Sequence, residues 1–477
     1  MLRKIKKLIP RQIFKALQPV YHFLMAWLAA LIFCFPSRKL IIIGVTGTAG
    51  KTSTVYLIAK MLNQAGYKTG FTSTAVFSDG DREWLNDKKM TMPGRLFIQR
   101  NLRRMIKNNC RYALVETTSE GIKQFRHRFI NYDLLIFTGL YPEHIESHGS
   151  FEKYKEAKGR LFAHLKNCST KYIDDKCQVI KPKSNLKKLD LTRVLKTIIV
   201  NGDDEHASYF LNFRSESKIV YSFNSEVSLN YFQKNLASEA VVKDFIMIKG
   251  SEITSSAHGV SFKVNDQLLS LKLLGEFNAF NALAAYAVGY NQNLAAEKIK
   301  EGLESVSGLA GKLELIDAGQ NFTAIVDYSF EPKALEKLYQ AVALIPRQKT
   351  IHLLGSTGGG RDRARRPILG KIAAEKADIV IVANEDPYDE NPASIIDQVA
   401  SGAEDAGKII GKNLFKFLDR REGIKKALEL AEEGDLVLFT GKGAEQHICL
   451  ANGKKMPWDE RLVVEQEIVD KMCVDKR

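Results

Sequence analysis

The sequence lacks most marks of a secreted, metal-stapled or membrane-spanning protein. Its six cysteines are scattered, with no CxxC pair and no regular framework. That excludes a disulfide scaffold and structural zinc, and points to a reducing compartment. No HExxH pattern occurs. His144 and His148 are four apart and would share a face on a helix, but no third ligand accompanies them, so zinc is rejected there too. The apolar run at residues 20–35 falls short of the roughly 20 residues needed to cross a bilayer. No small-residue cleavage site follows it, so a cleaved signal peptide is a poor reading. Internal repeats, low-complexity tracts and nucleic-acid-binding motifs are all missing, and a nucleic-acid partner is not expected.

What is present is ordinary in bulk and unusual in charge. A chain of 477 residues predicts two or three domains, each able to bury a core. Apolar content of 45% with 26% charged residues fits a globular protein. The net charge of +15 suggests acidic partners such as nucleotides, anionic substrates or an anionic membrane face. Lys181, Lys183, Lys187 and Lys188 read as a solvated basic loop. Near the N-terminus, Arg3, Lys4, Lys6, Lys7, Arg11 and Lys15 precede the apolar run, which Pro36, Arg38 and Lys39 close. Two readings stay open for residues 1–39: a helix lying on the inner membrane surface, or a hydrophobic helix packed on the first domain.

After residue 39, strands and helices alternate as in an α/β fold with mostly parallel sheets. Strands are expected at 40–45, 112–116, 133–138 and 197–200, with a more antiparallel region at about 215–273. A helix at 278–290 and a glycine-containing link at 308–311 lead to a second series, with strands at 323–326, 350–354, 379–382 and 436–439. The expected division is an N-terminal segment 1–39, a central ATPase-like domain 40–310 and a Rossmann-like domain 311–477. Chemistry-bearing residues recur just past the carboxyl ends of these strands, the edge where open α/β sheets bind ligands.

Thr46-Gly47-Thr48-Ala49-Gly50-Lys51-Thr52 follows a β-branched run and opens a helix with apolar Val55, Leu57, Ile58, Met61 and Leu62. Such a turn cradles phosphate with backbone N–H groups. Lys51 adds a point charge, and the Thr52 hydroxyl can ligate Mg²⁺. Val45 stands where the first glycine of the usual pattern belongs. Glu116 ends a strand and can hold Mg²⁺ on a triphosphate, with Thr118 among the hydroxyls beside it. Ser150 is a plausible N-cap for a helix whose apolar stripe includes Phe151, Tyr154, Leu161 and Phe162. Lys158 falls on that stripe, where snorkelling is the default outcome. A desolvated, neutral amine could instead react with CO₂ to give an anionic carbamate. In the second half, Gly358 through Arg366 joins a flexible turn to clustered guanidinium groups, and Gly441 to Glu445 offers close backbone approach with a carboxylate for an amine.

In this order the motifs resemble the Mur ligases, most closely the MurE type that adds the third residue of the peptidoglycan stem peptide. The phosphate loop resembles TGTNGKT, with Ala49 in place of Asn. Residues 116–121 resemble EVSSHG. Thr118, Gln124 and Arg126 take the places of substrate-binding residues. Glu143, His144, His148, Tyr154 and Lys158 resemble DHLDxHG followed by YxxAK. The resemblance implies ATP on residues 47–52 (Gly47, Thr48, Ala49, Gly50, Lys51, Thr52) with Asn278 and Asp327, and catalytic roles for Lys51, Glu116, His144 and Lys158. It implies Mg²⁺ on Thr52, Glu116, His144 and carbamylated Lys158. Arg361, Asp386, Gly441 and Glu445 would contact the incoming diamino acid, with a peptidoglycan precursor as acceptor.

Departures accompany the likeness. Phe330 replaces a histidine near the nucleotide. The DNPR signature of enzymes using meso-diaminopimelate reads Glu385-Asp386-Pro387-Tyr388, which leaves lysine or another diamine open. Only about 40 residues precede the phosphate loop, so the domain that grips the uridine end of the acceptor is expected to be absent. Its role would fall to another protein or to an acceptor presented near the membrane. The expected activity is ADP-forming amide ligation in the cytoplasm, at or near the inner membrane face. Alternatives are a folylpolyglutamate-like or poly-amino-acid ligase, or a membrane-tethered ATP-binding module without activity.

Overall fold

The β-branched run ahead of the glycine turn forms the strand Ile41–Thr46, with all six residues buried. The computed structural model describes residues 11–143, 148–174, 179–180, 191–227, 232 and 244–475. His144 and the basic stretch at 181–188 lie outside the described residues. Ile41, Ile43 and Val45 point into one core layer, and Leu40 and Ile42 into another. A strand buried on both faces is the usual state of a parallel sheet covered by helices.

Ile41–Thr46 is flanked in parallel by Tyr112–Glu116 on one side and Leu134–Phe137 on the other. Thr197–Asn201 and Ser217–Ser222 continue the parallel block beyond Leu134–Phe137, and Thr69–Thr72 continues it beyond Tyr112–Glu116. The chain therefore leaves its first strand to both sides, and a crevice opens where the order reverses. That switch point is the glycine turn.

The expectation of an antiparallel region from 215 needs correction. Ser217–Ser222 pairs in parallel, fully buried, and the 13-residue strand Asp244–Ser256 extends that pairing with its first half. Only its second half turns antiparallel, against Gly259–Val264 and then Gln267–Leu271. Alternation of polarity reports which face is wet, and cannot report which neighbour a strand finds.

A second sheet orders Glu314–Ile316, Thr323–Asp327, Leu436–Thr440, Thr350–Leu354, Ile379–Ala383 and Leu414–Phe417. All pairs but the first are parallel. Here Leu436–Thr440 lies between Thr323–Asp327 and Thr350–Leu354, so loops carrying Asp327, Gly355 and Gly441 share one edge.

The N-terminal helix Arg11–Ile32 packs on the helix Arg95–Lys107. Ala26, Ala29 and Ala30 are buried, and the Phe23 ring meets Phe125 and Phe129 with centroids at 6.4 and 5.1 Å. Small residues let two helices approach closely, so the packed-helix reading holds for one face. No described helix is long and apolar enough to cross a membrane.

Candidate active site

The phosphate loop is held in shape by its neighbours. Thr48 N–H donates to the Gly139 carbonyl at 2.8 Å, and the Thr138 hydroxyl to the Ala49 carbonyl at 2.6 Å. Gly50 has φ 78°, and a Cβ there would sit 2.4 Å from Asn281 Oδ1. Only glycine is free of both penalties at this point. Asn281 in turn accepts from the Thr54 hydroxyl at 3.3 Å and donates to Asn278 Oδ1 at 2.9 Å. Asn278 thus braces the loop helix Lys51–Gln64 while lining the cavity.

Lys51 begins that helix and folds its ammonium onto the Thr48 carbonyl at 2.7 Å. The Thr52 hydroxyl lies 3.0 and 3.1 Å from the two Glu116 oxygens. Thr74, which lies in no motif, donates to Glu116 from both its N–H (2.7 Å) and its hydroxyl (2.9 Å). Burial pushes the Glu116 carboxyl above its usual range, opposed by the Lys51 charge. A buried acid beside a threonine hydroxyl is an all-oxygen donor pair suited to a hard divalent cation. Among the described residues no group of three or more His, Cys, Asp or Glu gathers around it.

Lys158 does not snorkel. It is 1% exposed, donates to the Gly47 carbonyl at 2.7 Å, and lies 4.5 Å from the centre of the Tyr154 ring. Its helix, Phe151–Leu165, is capped by the Ser150 side chain, which accepts from Lys153 N–H. The cap fixes which way the stripe faces, and the stripe carries Lys158 beneath the phosphate loop. Burial, then the nearby Lys51 charge, lower its pKa well below that of an ordinary lysine.

Beside Glu116, the Thr118 hydroxyl caps the short helix Ser119–Lys123 and lines the cavity. Gln124 and Arg126 do not line it. Arg126 donates to Gln124 Oε1 at 2.7 Å and to the Met92 carbonyl.

Across the cleft, Asp327 lines the same cavity, but its oxygens accept from Leu313 N–H at 2.8 Å and Ser329 N–H at 2.7 Å. It therefore shapes two loops. Phe330 stacks under Arg365, 5.4 Å from guanidinium carbon to ring centre. Asp386 and Glu445 form a carboxylate pair flanked by two lysines. Lys442 reaches Glu445 at 2.8 Å and Asp386 at 3.2 Å. Lys89 comes from the first sheet's side of the cleft. It pairs with Asp386, lies 3.2 Å from Glu445, and donates to the His447 carbonyl at 3.1 Å. Burial alone would raise Asp386, yet the Lys442 and Lys89 ammonium groups outweigh it and hold the carboxyl low. Lys89 sits in no motif, and Lys442 lies inside the Gly441 to Glu445 stretch, whose signal points to the glycine backbone and to Glu445 rather than to the lysine. Tyr388, in place of the expected arginine, lies under Arg361 at 5.0 Å.

Gly441 has φ 102°, and a Cβ there would lie 2.4 Å from Glu385 Oε2. Gly441→Ala should destabilise the protein by about 1–3 kcal/mol. An unchanged midpoint in chemical unfolding would contradict this.

One cavity of about 1310 Å³ is lined by Thr48, Lys51, Thr52 and Glu116 from one lobe and by Arg361, Asp386, Gly441 and Glu445 from the other. Phosphate loop, buried acid and ammonium-binding acids thus face a common space.

Comparison with known proteins agrees with this geometry. The Mur ligase middle domain matches residues 45–194, and the Mur ligase glutamate ligase domain matches 311–443. The chain is 34% identical over 444 residues to a UDP-N-acetylmuramyl-tripeptide synthetase of Roseiflexus sp. (strain RS-1), covering 91% of this chain and 80% of that one. It is 31% identical over 451 residues to a UDP-N-acetylmuramoyl-L-alanyl-D-glutamate–2,6-diaminopimelate ligase of Halalkalibacterium halodurans, covering 94% and 82%. Among solved structures, MurF of Acinetobacter baumannii aligns with a TM-score of 0.58 at 17% identity, over 88% of this chain and 77% of that one. That last likeness concerns the fold, a P-loop-type central domain joined to a Rossmann-like one.

Proposed function

The chain belongs to the Mur ligase family, and from that premise we propose that it is an ATP-dependent, ADP-forming amide ligase of peptidoglycan precursor synthesis. Its acceptor is a UDP-MurNAc-L-Ala-D-Glu-like carboxylate, and its second substrate is a diamino acid. The observation that carries this reading is the shared cavity, with Lys51, Thr52 and Glu116 on one wall and Asp386 and Glu445 on the other.

The acceptor carboxylate attacks the γ-phosphorus of ATP, the bond to the β-bridging oxygen breaks, and ADP leaves. The acyl phosphate so formed turns a poor leaving group into a good one. The amine then attacks the activated carbonyl, and phosphate departs with formation of the amide. Lys51 neutralises charge on the transferring phosphoryl group, and the loop glycines let backbone N–H groups approach it. Mg²⁺ fits the Thr52 hydroxyl and Glu116 carboxylate, and when bound it would neutralise triphosphate charge. Lys158 joins that set only as a carbamate, which its burial beside Gly47 and lowered pKa favour. His144 is proposed on the family resemblance alone. Thr118, which lines the cavity, is assigned to the acceptor, whereas Gln124 and Arg126 stand outside it and are proposed on the family resemblance alone.

Asp386 and Glu445 receive the ammonium of the diamino acid. Lys89 stands there as an internal ammonium, so it competes with substrate. Lys89→Met should lower KM for the diamino acid by about tenfold with kcat nearly unchanged, since 1.4 kcal/mol of competition is tenfold in binding. A raised KM would show instead that Lys89 helps hold the substrate. With Tyr388 where an arginine would meet a distal carboxylate, lysine or another diamine fits better than diaminopimelate. The direct test measures ADP release and product mass with ATP, UDP-MurNAc-dipeptide and a panel of diamino acids. Release that needs both acceptor and amine supports the reading. ATP hydrolysis indifferent to either, or ligation only to a folate or poly-amino-acid acceptor, sinks it. The place of action is the cytoplasm, where ATP and the nucleotide-linked acceptor are found.

A further inference from the structure

The N-terminal helix Arg11–Ile32 buries one face on the body and leaves the opposite face bare. Leu17, Tyr21, Leu24, Trp27, Leu28 and Leu31 are 41–56% exposed and fall at spacings of three and four, one continuous apolar stripe. Single exposed leucines need no explanation, but a contiguous stripe along a helix of 22 residues does. The surrounding charge is one-sided. Arg3, Lys4, Lys6, Lys7, Arg11 and Lys15 precede or enter the helix, exposed Arg38 and Lys39 follow it, and no acidic residue occurs before Asp79.

We propose that this helix is an in-plane anchor on an anionic lipid bilayer, its apolar stripe seated among acyl chains and its flanking lysines and arginines on the headgroups. A helix lying on the protein body with a bare apolar, aromatic-bearing face and cations flanking it in sequence at both ends suits that boundary. Tyr21 and Trp27 have the amphipathic rings that favour the headgroup level. Charge decides against a second copy of the chain as the occupant. Pairing two stripes would bring two acid-free, cation-rich segments together with nothing to offset them. An anionic leaflet supplies the opposite charge, worth about 1 kcal/mol per cation near the surface. The anchor is independent of the assigned ligase chemistry.

Flotation of the full chain with vesicles of phosphatidylcholine and phosphatidylglycerol, against pure phosphatidylcholine, tests the proposal. The bound fraction should be at least about tenfold higher on the anionic vesicles and fall in high salt. Leu24→Glu/Leu28→Glu should abolish binding while the unfolding midpoint stays in place, since both side chains face solvent. Brominated acyl chains should quench Trp27 fluorescence, and the loss should vanish in Trp27→Phe. Equal binding to both vesicle types, binding retained by the double glutamate variant, or a dimer in light scattering that this variant breaks would each overturn it.

Discussion

Lys51→Ala should reduce acceptor- and amine-dependent ADP release by about 10³-fold or more, the effect expected when a positioned charge is removed from a phosphoryl transfer. Lys51 begins the helix Lys51–Gln64 at the topological switch point of the first sheet, so its ammonium and the helix N-terminus would address the same anion on the proposed reading. In the present state that ammonium is satisfied by the Thr48 carbonyl, a contact it can trade for phosphate at little cost. The loop itself is held by Gly139, Thr138 and Asn281, none of which depends on the Lys51 side chain. The variant should therefore fold normally and fail in turnover. Ligation persisting at the native rate would refute the assignment of the phosphate loop.

The second large effect belongs to Lys158. Lys158→Ala should cut ligation by about 10²–10³-fold, as loss of a group that would hold the divalent cation on the triphosphate would. If the working species is the carbamate, acetate or formate should partly restore the alanine variant by placing a carboxylate in the vacated space. No restoration by any short carboxylate, together with native activity in CO₂-free buffer, would defeat the carbamate. Stability should move the opposite way. A buried amine with a lowered pKa binds fewer protons folded than unfolded. Below the folded pKa the penalty of burying the charge is therefore paid in full. Stability then rises with pH between the folded pKa and the unfolded value near 10.4. In CO₂-free buffer, Lys158→Met should stabilise the protein by about 1–3 kcal/mol at neutral pH, and the advantage should fade as pH approaches about 10.4. A variant less stable than wild type at neutral pH would mean the lysine is held by more than the Gly47 carbonyl and the Tyr154 ring.

Much of this molecule is legible along the chain because its signals are local. A β-branched run, a glycine turn and a 3.6-residue apolar period identify Ile41–Thr46 and Lys51–Gln64 without reference to anything distant. Ser150 as a cap needs only the residues that follow it. Partner choice was not legible. Ser217–Ser222 reads as well antiparallel as parallel, because its own residues do not encode which strand lies beside it. Lys158 had a default of snorkelling because periodicity gives the face of a helix but not the depth of what lies over it. Thr74, Lys89 and Lys442 entered the site through loops, where no period exists to place a side chain.

The sequence alone determined the sites of strand and helix, the phosphate loop and the likeness to one ligase family, since each follows from residues within a few positions of one another. Tertiary structure decided that Glu116 is buried against Thr52 and Thr74, and that Lys158 lies dry beneath Gly47. It also decided that Lys89 crosses the cleft to the Asp386 and Glu445 carboxylates. Those outcomes depend on contacts between residues dozens to hundreds of positions apart, whose energies come from desolvation and charge pairing that exist only once the first lobe has packed and, for Lys89, once the second lobe faces it.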